Sequence, residues 1–123
     1  MSIPVTHRDV EGVQVLVIGI DDVSISEDAL EEISQKLLDY TVSIPPQVVV
    51  DMQHIDFFGS SFIETLFRMW NRIKSAEGGR FALSGLRPYC LEVLQVTNLT
   101  SVWPIYPDVD AAVASFKESP PQQ

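Results

Sequence analysis

Residues 48–64 read VVVDMQHIDFFGSSFIE and join two kinds of secondary structure. The β-branched run 48–50 predicts a buried strand that closes at Asp51. After a loop over 53–59, apolar residues recur at helical spacing through 62–74, which predicts an amphipathic helix. In open α/β sheets, functional groups gather where strands end and helices begin. This junction is therefore the first candidate for a functional site.

Strands and helices alternate on both sides of this junction. Further strands are predicted over 5–10, 13–20, 81–83 and 102–105. Helices are predicted from a start at Ser24 or Ser26 to about Tyr40, from Pro88 through Leu94, and from a cap at Asp108 or Asp110 through Phe116. The order β-β-α-β-α-β-α-β-α implies crossover connections and parallel strands.

The predicted fold is α/β, with a small, mostly parallel sheet of four to five strands. About four helices are expected, largely on one face of the sheet. Pro104 places the last strand at an edge, because proline cannot donate to a ladder on both sides. A single domain is expected over 1–118, and the tail SPPQQ, 119–123, is expected to be disordered.

The charge of the chain argues against polyanionic partners. With 17 acidic and 8 basic residues, the formal net charge of −9 repels nucleic acids and anionic lipids. The single cysteine, Cys90, excludes an internal disulfide and fits a reducing compartment, where it is expected to be a core residue. No secretory signal or membrane-spanning run is found, so a cytoplasmic protein is expected.

Two adjacent serines open the helix at the junction. Ser61 and Glu64 have the spacing of a capping box, so Ser61 is predicted to cap the helix and Ser60 to lie exposed just before it, on a turn at Gly59. A phosphate on Ser60 suits a helix N-terminus and adds a charge of about −1.5 to −2. The spacing alone leaves open that both serines only cap and turn the chain.

Catalytic and metal chemistry find little support in the same segment. The G-x-S-x-G pattern of a serine nucleophile is not met around Ser60, and His54 is its sole plausible base. The strand-to-loop geometry does not favour convergence of Asp51, His54 and Asp56 on a metal. No nucleotide motif occurs, so neither an enzyme nor a cofactor is predicted.

The helix over 62–74 is more apolar than a one-sided amphipathic helix requires. Two interpretations remain open for its extra apolar residues, Phe62 and Met69. They either complete the core or line an exposed docking patch beside Ser60.

Several segments together resemble the STAS domain of anti-sigma-factor antagonists. They are the strand ending in Asp51 with its aromatic loop and serine pair, followed by 78–86, 91–99, 102–107 and 110–113. The resemblance covers about 5–117 and implies a non-enzymatic regulator that binds an anti-sigma factor or a serine kinase of the switch-kinase type. It implies phosphorylation of Ser60 and a role for Asp51 in shaping the loop. The implied partner contacts are Asp56, Phe57, Phe58, Gly59, Ser60, Ser61 and Phe62.

Two positions depart from the family pattern, which has Asp directly before the serine pair and Gly directly after it. This chain has Gly59 and Phe62 there. The missing acid motivates an alternative, in which the chain is a STAS scaffold or interaction module that is never phosphorylated.

Overall fold

The computed structural model describes residues 3–20 and 23–118. In these residues the chain forms seven strands, four α-helices and a short 3-10 turn. The strands are β1 Val5–Val10, β2 Val13–Ile18, β3 Val23–Ile25, β4 Gln47–Asp51, β5 Ile55–Phe58, β6 Arg80–Ser84 and β7 Ile105–Tyr106. The helices are α1 Glu27–Ser43, α2 Ser60–Lys74, α3 Pro88–Val96 and α4 Val109–Glu118, and the 3-10 turn is Leu99–Ser101.

Five strands form the main sheet in the order β1-β2-β4-β6-β7. The hairpin of β1 and β2 is antiparallel, and the strand pairs β2–β4, β4–β6 and β6–β7 are parallel. The predicted α/β class with a mostly parallel sheet is confirmed. The last strand lies at an edge, as predicted, but it begins after Pro104 rather than before it.

A second, two-stranded parallel sheet pairs β3 with β5. The prediction of an irregular loop over 53–59 is therefore wrong for β5, and β3 was not predicted at all. Both strands are short, and each forms only because a segment about thirty residues away in sequence supplies its hydrogen-bonding partner. Their pairing carries the chain from the end of β4 to the start of α2.

The main sheet is apolar on both faces, and helices cover both. Val48 and Val50 point into the larger cluster beneath α1, α2 and α3, whereas Val49 points into a smaller cluster beneath α4. Side chains alternate between the faces of a strand, so the run 48–50 supplies both clusters. Three helices on one face and one on the other match the expectation that the helices lie largely on one face.

Helix boundaries follow the predicted signals at several ends. Helix α3 begins at Pro88. Asp108, the first of the two predicted caps, accepts the Ala111 N–H on Oδ1 at 2.8 Å and caps α4. Helix α1 begins after Ser26, the second of the two predicted starts, and runs to Ser43, one turn beyond the predicted end. The expectation of a disordered tail over 119–123 lies outside the described residues.

Candidate functional site

The turn out of β4 is built on a buried carboxylate. Asp51 is 1% exposed and accepts two hydrogen bonds from Gln53, from the backbone N–H at 3.1 Å and from Nε2 at 2.6 Å. Gly85, with φ +68°, passes so close that a Cβ there would lie 3.1 Å from Asp51 Oδ1. Asp51 therefore lies at the end of β4, and its hydrogen bonds join the strand end to the first residues of the loop.

The first turn of α3 holds β5 from outside. The Arg87 guanidinium donates from Nε to the Gln53 carbonyl at 3.0 Å, and its Nη1 lies 3.5 Å from the Asp56 carboxylate. The Cys90 thiol lies 3.7 Å from the Ile55 carbonyl, which it can reach as a weak donor. Burial raises the pKa of the Cys90 thiol, and the Asp56 charge raises it further. Cys90 is a buried core thiol, as expected.

Helix α2 begins earlier than predicted. Gly59 is the N-cap, in extended backbone with φ −106°, and Ser60 is the first helical residue. No side-chain hydrogen bond caps this end, so the predicted capping box of Ser61 and Glu64 is wrong. The reason is the pairing of β5 through Phe58, which leaves a single residue between strand and helix.

The start of α2 is well suited to a negative charge. The Phe62 N–H donates to the Gly59 carbonyl at 3.1 Å. The first N–H groups of a helix lack the regular intrahelical partner, and here neither a capping side chain nor an acidic residue of the first turn supplies one. The Ser60 side chain is exposed at this end, while Ser61 is half-buried. A phosphate on Ser60 would meet the positive end of the helix dipole.

The aromatic residues of the junction divide between core and surface. Phe58 and Phe62 are 2% and 1% exposed, and their rings pack at a centroid distance of 5.2 Å. The expectation that these two side chains contact a partner is wrong, because the larger core takes them up. Met69 is fully buried as well, so the extra apolar residues of α2 complete the core rather than line a patch.

Phe57 remains on the surface and has a partner that the sequence did not indicate. Its ring is 43% exposed and stacks on Tyr89 of α3, which is 50% exposed, at a centroid distance of 5.7 Å and an interplanar angle of 27°. In the sequence, Tyr89 is visible only as an aromatic residue directly after Pro88 at the start of α3. The packing of α3 on β5 brings the two rings together.

A groove separates the first turns of α1 and α2 beside this surface. It has a volume of about 360 Å³. Apolar side chains, serines and one acidic side chain line it. The lining residues are Ile25, Ser26, Glu27, Leu30, Phe57, Gly59, Ser60, Ser61 and Phe62. The sequence-predicted serine pair therefore lies at the wall of a concave surface.

The alternative chemistries gain no geometric support. Across 3–20 and 23–118, no hydrogen bond joins Ser60 to His54, whose carbonyl instead accepts the Val23 N–H. The same residues contain no group of three or more His, Cys, Asp or Glu side chains arranged to hold a metal. In this described part, no helix has both the length and the apolar character needed to cross a bilayer.

Comparison with known proteins agrees with the fold. The family model for the STAS domain matches residues 5–112. The solved structure of an anti-sigma-factor antagonist (STAS) domain protein from Planctomyces limnophilus is 40% identical to this chain. That match covers 94% of this chain and 97% of the other, with a TM-score of 0.77.

Two other relatives are more distant. A putative anti-sigma factor antagonist, BtrV of Bordetella bronchiseptica, is 25% identical over 76 residues, which span 62% of this chain and 65% of that relative. The Bacillus cell fate determinant SpoIIAA in its phosphorylated form is 15% identical to this chain, with a TM-score of 0.65. The match covers 92% of this chain and 97% of SpoIIAA, and it shows a likeness of fold alone. The resemblance noted in the sequence is confirmed: the chain belongs to the STAS domain family.

Proposed function

We propose that the chain is an anti-sigma-factor-antagonist-like regulator that binds an anti-sigma factor or a serine kinase of the switch-kinase type. Phosphorylation of Ser60 would control the complex. The exposed hydroxyl of Ser60 at the first residue of α2 is the observation that carries this proposal. The proposed contact residues are now Asp56, Phe57, Gly59, Ser60 and Ser61.

The local electrostatics explain how such a switch would operate. The N–H groups at the start of α2 and the helix dipole would stabilise a phosphate, so the fold would tolerate the modification. The same phosphate adds a charge of about −1.5 to −2 to a surface that already carries Glu27 across the groove. A partner that fits the unmodified surface would then lose shape and charge complementarity. The fold persists while the complex dissociates.

The descriptions of similar proteins support this proposal. The Planctomyces limnophilus protein and BtrV are described as an anti-sigma-factor antagonist and a putative one, and SpoIIAA has been solved in a phosphorylated form. Carried over to this chain, the proposal is a non-catalytic protein without a cofactor that acts on transcription through protein partners. Its proposed location is the cytoplasm, where such partners work.

A second candidate function rests on Gly59. The family pattern has an acid at this N-cap, and the hydrogen of glycine leaves that place empty, with nothing within 4 Å of where a Cβ would lie. An acid beside the acceptor serine can assist recognition by a kinase or a metal-assisted transfer. Its absence favours a STAS scaffold that binds partners without being phosphorylated.

Affinity capture from the native lysate tests both candidates. The baits are the wild type, Ser60→Asp and the control Ser75→Asp, which places the same charge on an exposed serine at the far end of α2. We expect the wild type and Ser75→Asp to retain a regulator with an ATPase-type kinase domain and Ser60→Asp to lose it. Incubation of the wild type with the retained regulator and ATP should place phosphate on Ser60, and the Ser60→Ala protein treated in the same way should remain unmodified.

The outcomes separate the two candidates. If all three baits retain the same regulator and Ser60 carries no phosphate under any growth condition, the switch is refuted and the scaffold takes its place. If the wild type retains no regulator of transcription or kinase of this class, the assignment to the antagonist type is refuted.

A further inference from the structure

The stacked rings of Phe57 and Tyr89 form the aromatic part of the surface around Ser60. Both are about half exposed, and they face each other across the boundary between β5 and α3. Aromatic side chains are enriched where protein interfaces derive most of their binding energy. Tyr89 lies outside the segment that the family resemblance assigns to partner binding.

The pair is held in place before any partner arrives. Arg87, at the N-cap of α3, bridges the Gln53 carbonyl and the Asp56 carboxylate. The start of α3 is therefore attached both to the loop before β5 and to β5 itself. The Tyr89 ring follows two residues later on the same first turn. A rigid aromatic surface loses little conformational entropy on binding, which favours its use as an anchor.

The charges around the pair are mainly negative. Asp56 precedes Phe57 and its side chain is 58% exposed. Glu27 lines the groove that Phe57 also lines, and Glu92 lies exposed one helical turn after Tyr89. Arg87 is a cation beside these groups, and it pairs with Asp56. Glu27 and Glu92, in a chain of net charge −9, complement a positively charged surface.

We propose that the Phe57–Tyr89 pair anchors the docking surface by receiving an arginine or lysine side chain from a basic face of a partner protein. An aromatic face attracts a cation, and the surrounding carboxylates supply the opposite charge. This inference rests on the proposed function and adds two things to it: α3 belongs to the docking surface, and the partner contributes a basic residue there.

The test measures affinity for the regulator that the wild-type capture identifies, purified and titrated by calorimetry. Replacing the ring in Tyr89→Ala should raise Kd at least about tenfold, whereas Tyr89→Phe keeps the ring and should stay within about twofold of the wild type. The matched control is Val96→Ala, which removes a 79% exposed apolar side chain from the other end of α3.

Charge is tested separately from the ring. Glu92→Lys should weaken binding and Glu77→Lys, an exposed reversal beyond the far end of α2, should not. Raising the salt concentration should raise Kd for the wild type, and should raise it less for Glu92→Lys, because screening acts on the charges that remain. Melting curves of each variant check folding, and Tyr89→Lys provides a second substitution at the same position.

The results distinguish this inference from the function it rests on. If the wild type binds the regulator and Tyr89→Ala and Tyr89→Lys bind within about twofold of it, the anchor is refuted while the function stands. If the ring matters but neither Glu92→Lys nor salt changes Kd, the basic partner is refuted. If the wild type binds no regulator, the proposed function fails and this inference fails with it.

Discussion

Restoring the glycine of the family pattern at position 62 should destabilise this protein strongly. Phe62 is 1% exposed and packs on Phe58 within the larger core. Truncating a buried phenylalanine to alanine costs about 3–5 kcal/mol, and glycine in a helix costs about 1 kcal/mol more. We therefore expect Phe62→Gly to lower the free energy of unfolding by about 4–6 kcal/mol, from a total that for such domains is about 5–15 kcal/mol.

Urea unfolding followed by far-ultraviolet circular dichroism measures this loss. The control is the other departure from the pattern, Gly59→Asp. Gly59 has extended backbone, and no atom lies within 4 Å of the place that a Cβ would occupy, so an acid fits there. An aspartate at an uncapped N-terminus should raise stability by up to about 1 kcal/mol. A loss of less than about 2 kcal/mol for Phe62→Gly would refute the assignment of this side chain to the core.

Two further predictions concern titratable groups. The pKa of Asp9 is lowered because its carboxylate accepts hydrogen bonds from Gln14 Nε2 and the Gly12 N–H. The stability that this carboxylate contributes is therefore present above the ordinary aspartate pKa and is lost as pH falls through the lowered pKa. Asp9→Ala should therefore reduce the loss of stability on acidification, measured by urea unfolding from neutral pH to about pH 2; an unchanged pH profile would contradict this. Burial raises the pKa of the Cys90 thiol, with the Asp56 charge adding to it, so iodoacetamide at mildly alkaline pH should label folded protein at least about tenfold more slowly than protein in urea. Equal labelling rates would refute the burial, and Cys90→Ala gives the blank.

Much of the fold follows from local pattern. The run 48–50 is apolar at every position, which suits only a strand covered on both faces, and the structure places it at the centre of the main sheet. Pro88 and Asp108 marked helix starts because each has a local role: a fixed φ for one and a side-chain acceptor for the other. Such features depend on neighbours within a few residues.

The site was predicted less completely. Ser60 at a strand-to-helix junction and Asp51 at a strand end were both visible in the sequence. The structure has Asp51 at the end of β4 as expected, whereas Ser60 is the first residue of α2 rather than the residue just before the helix. The capping box failed because Ser61 has the right spacing from Glu64 but the N-cap is Gly59, so the helix starts two residues too early for it. The spacing of a serine and a glutamate indicates a capping box only when the first residue of the helix is already known.

The remaining features depend on contacts between segments far apart in the chain. Strand β5 exists because β3 pairs with it, and that pairing moves the start of α2. Phe57 and Phe58 are consecutive in β5 and point to opposite faces of it, and Phe62 lies on the buried face of α2. Phe58 and Phe62 are therefore core while Phe57 stays outside, although all three are equally apolar in the sequence. Tyr89 reaches Phe57 only through the packing of α3 on β5. Periodicity and capping residues act through local backbone geometry and can be recognised in order along the chain, whereas burial and neighbours at a surface are set by tertiary packing.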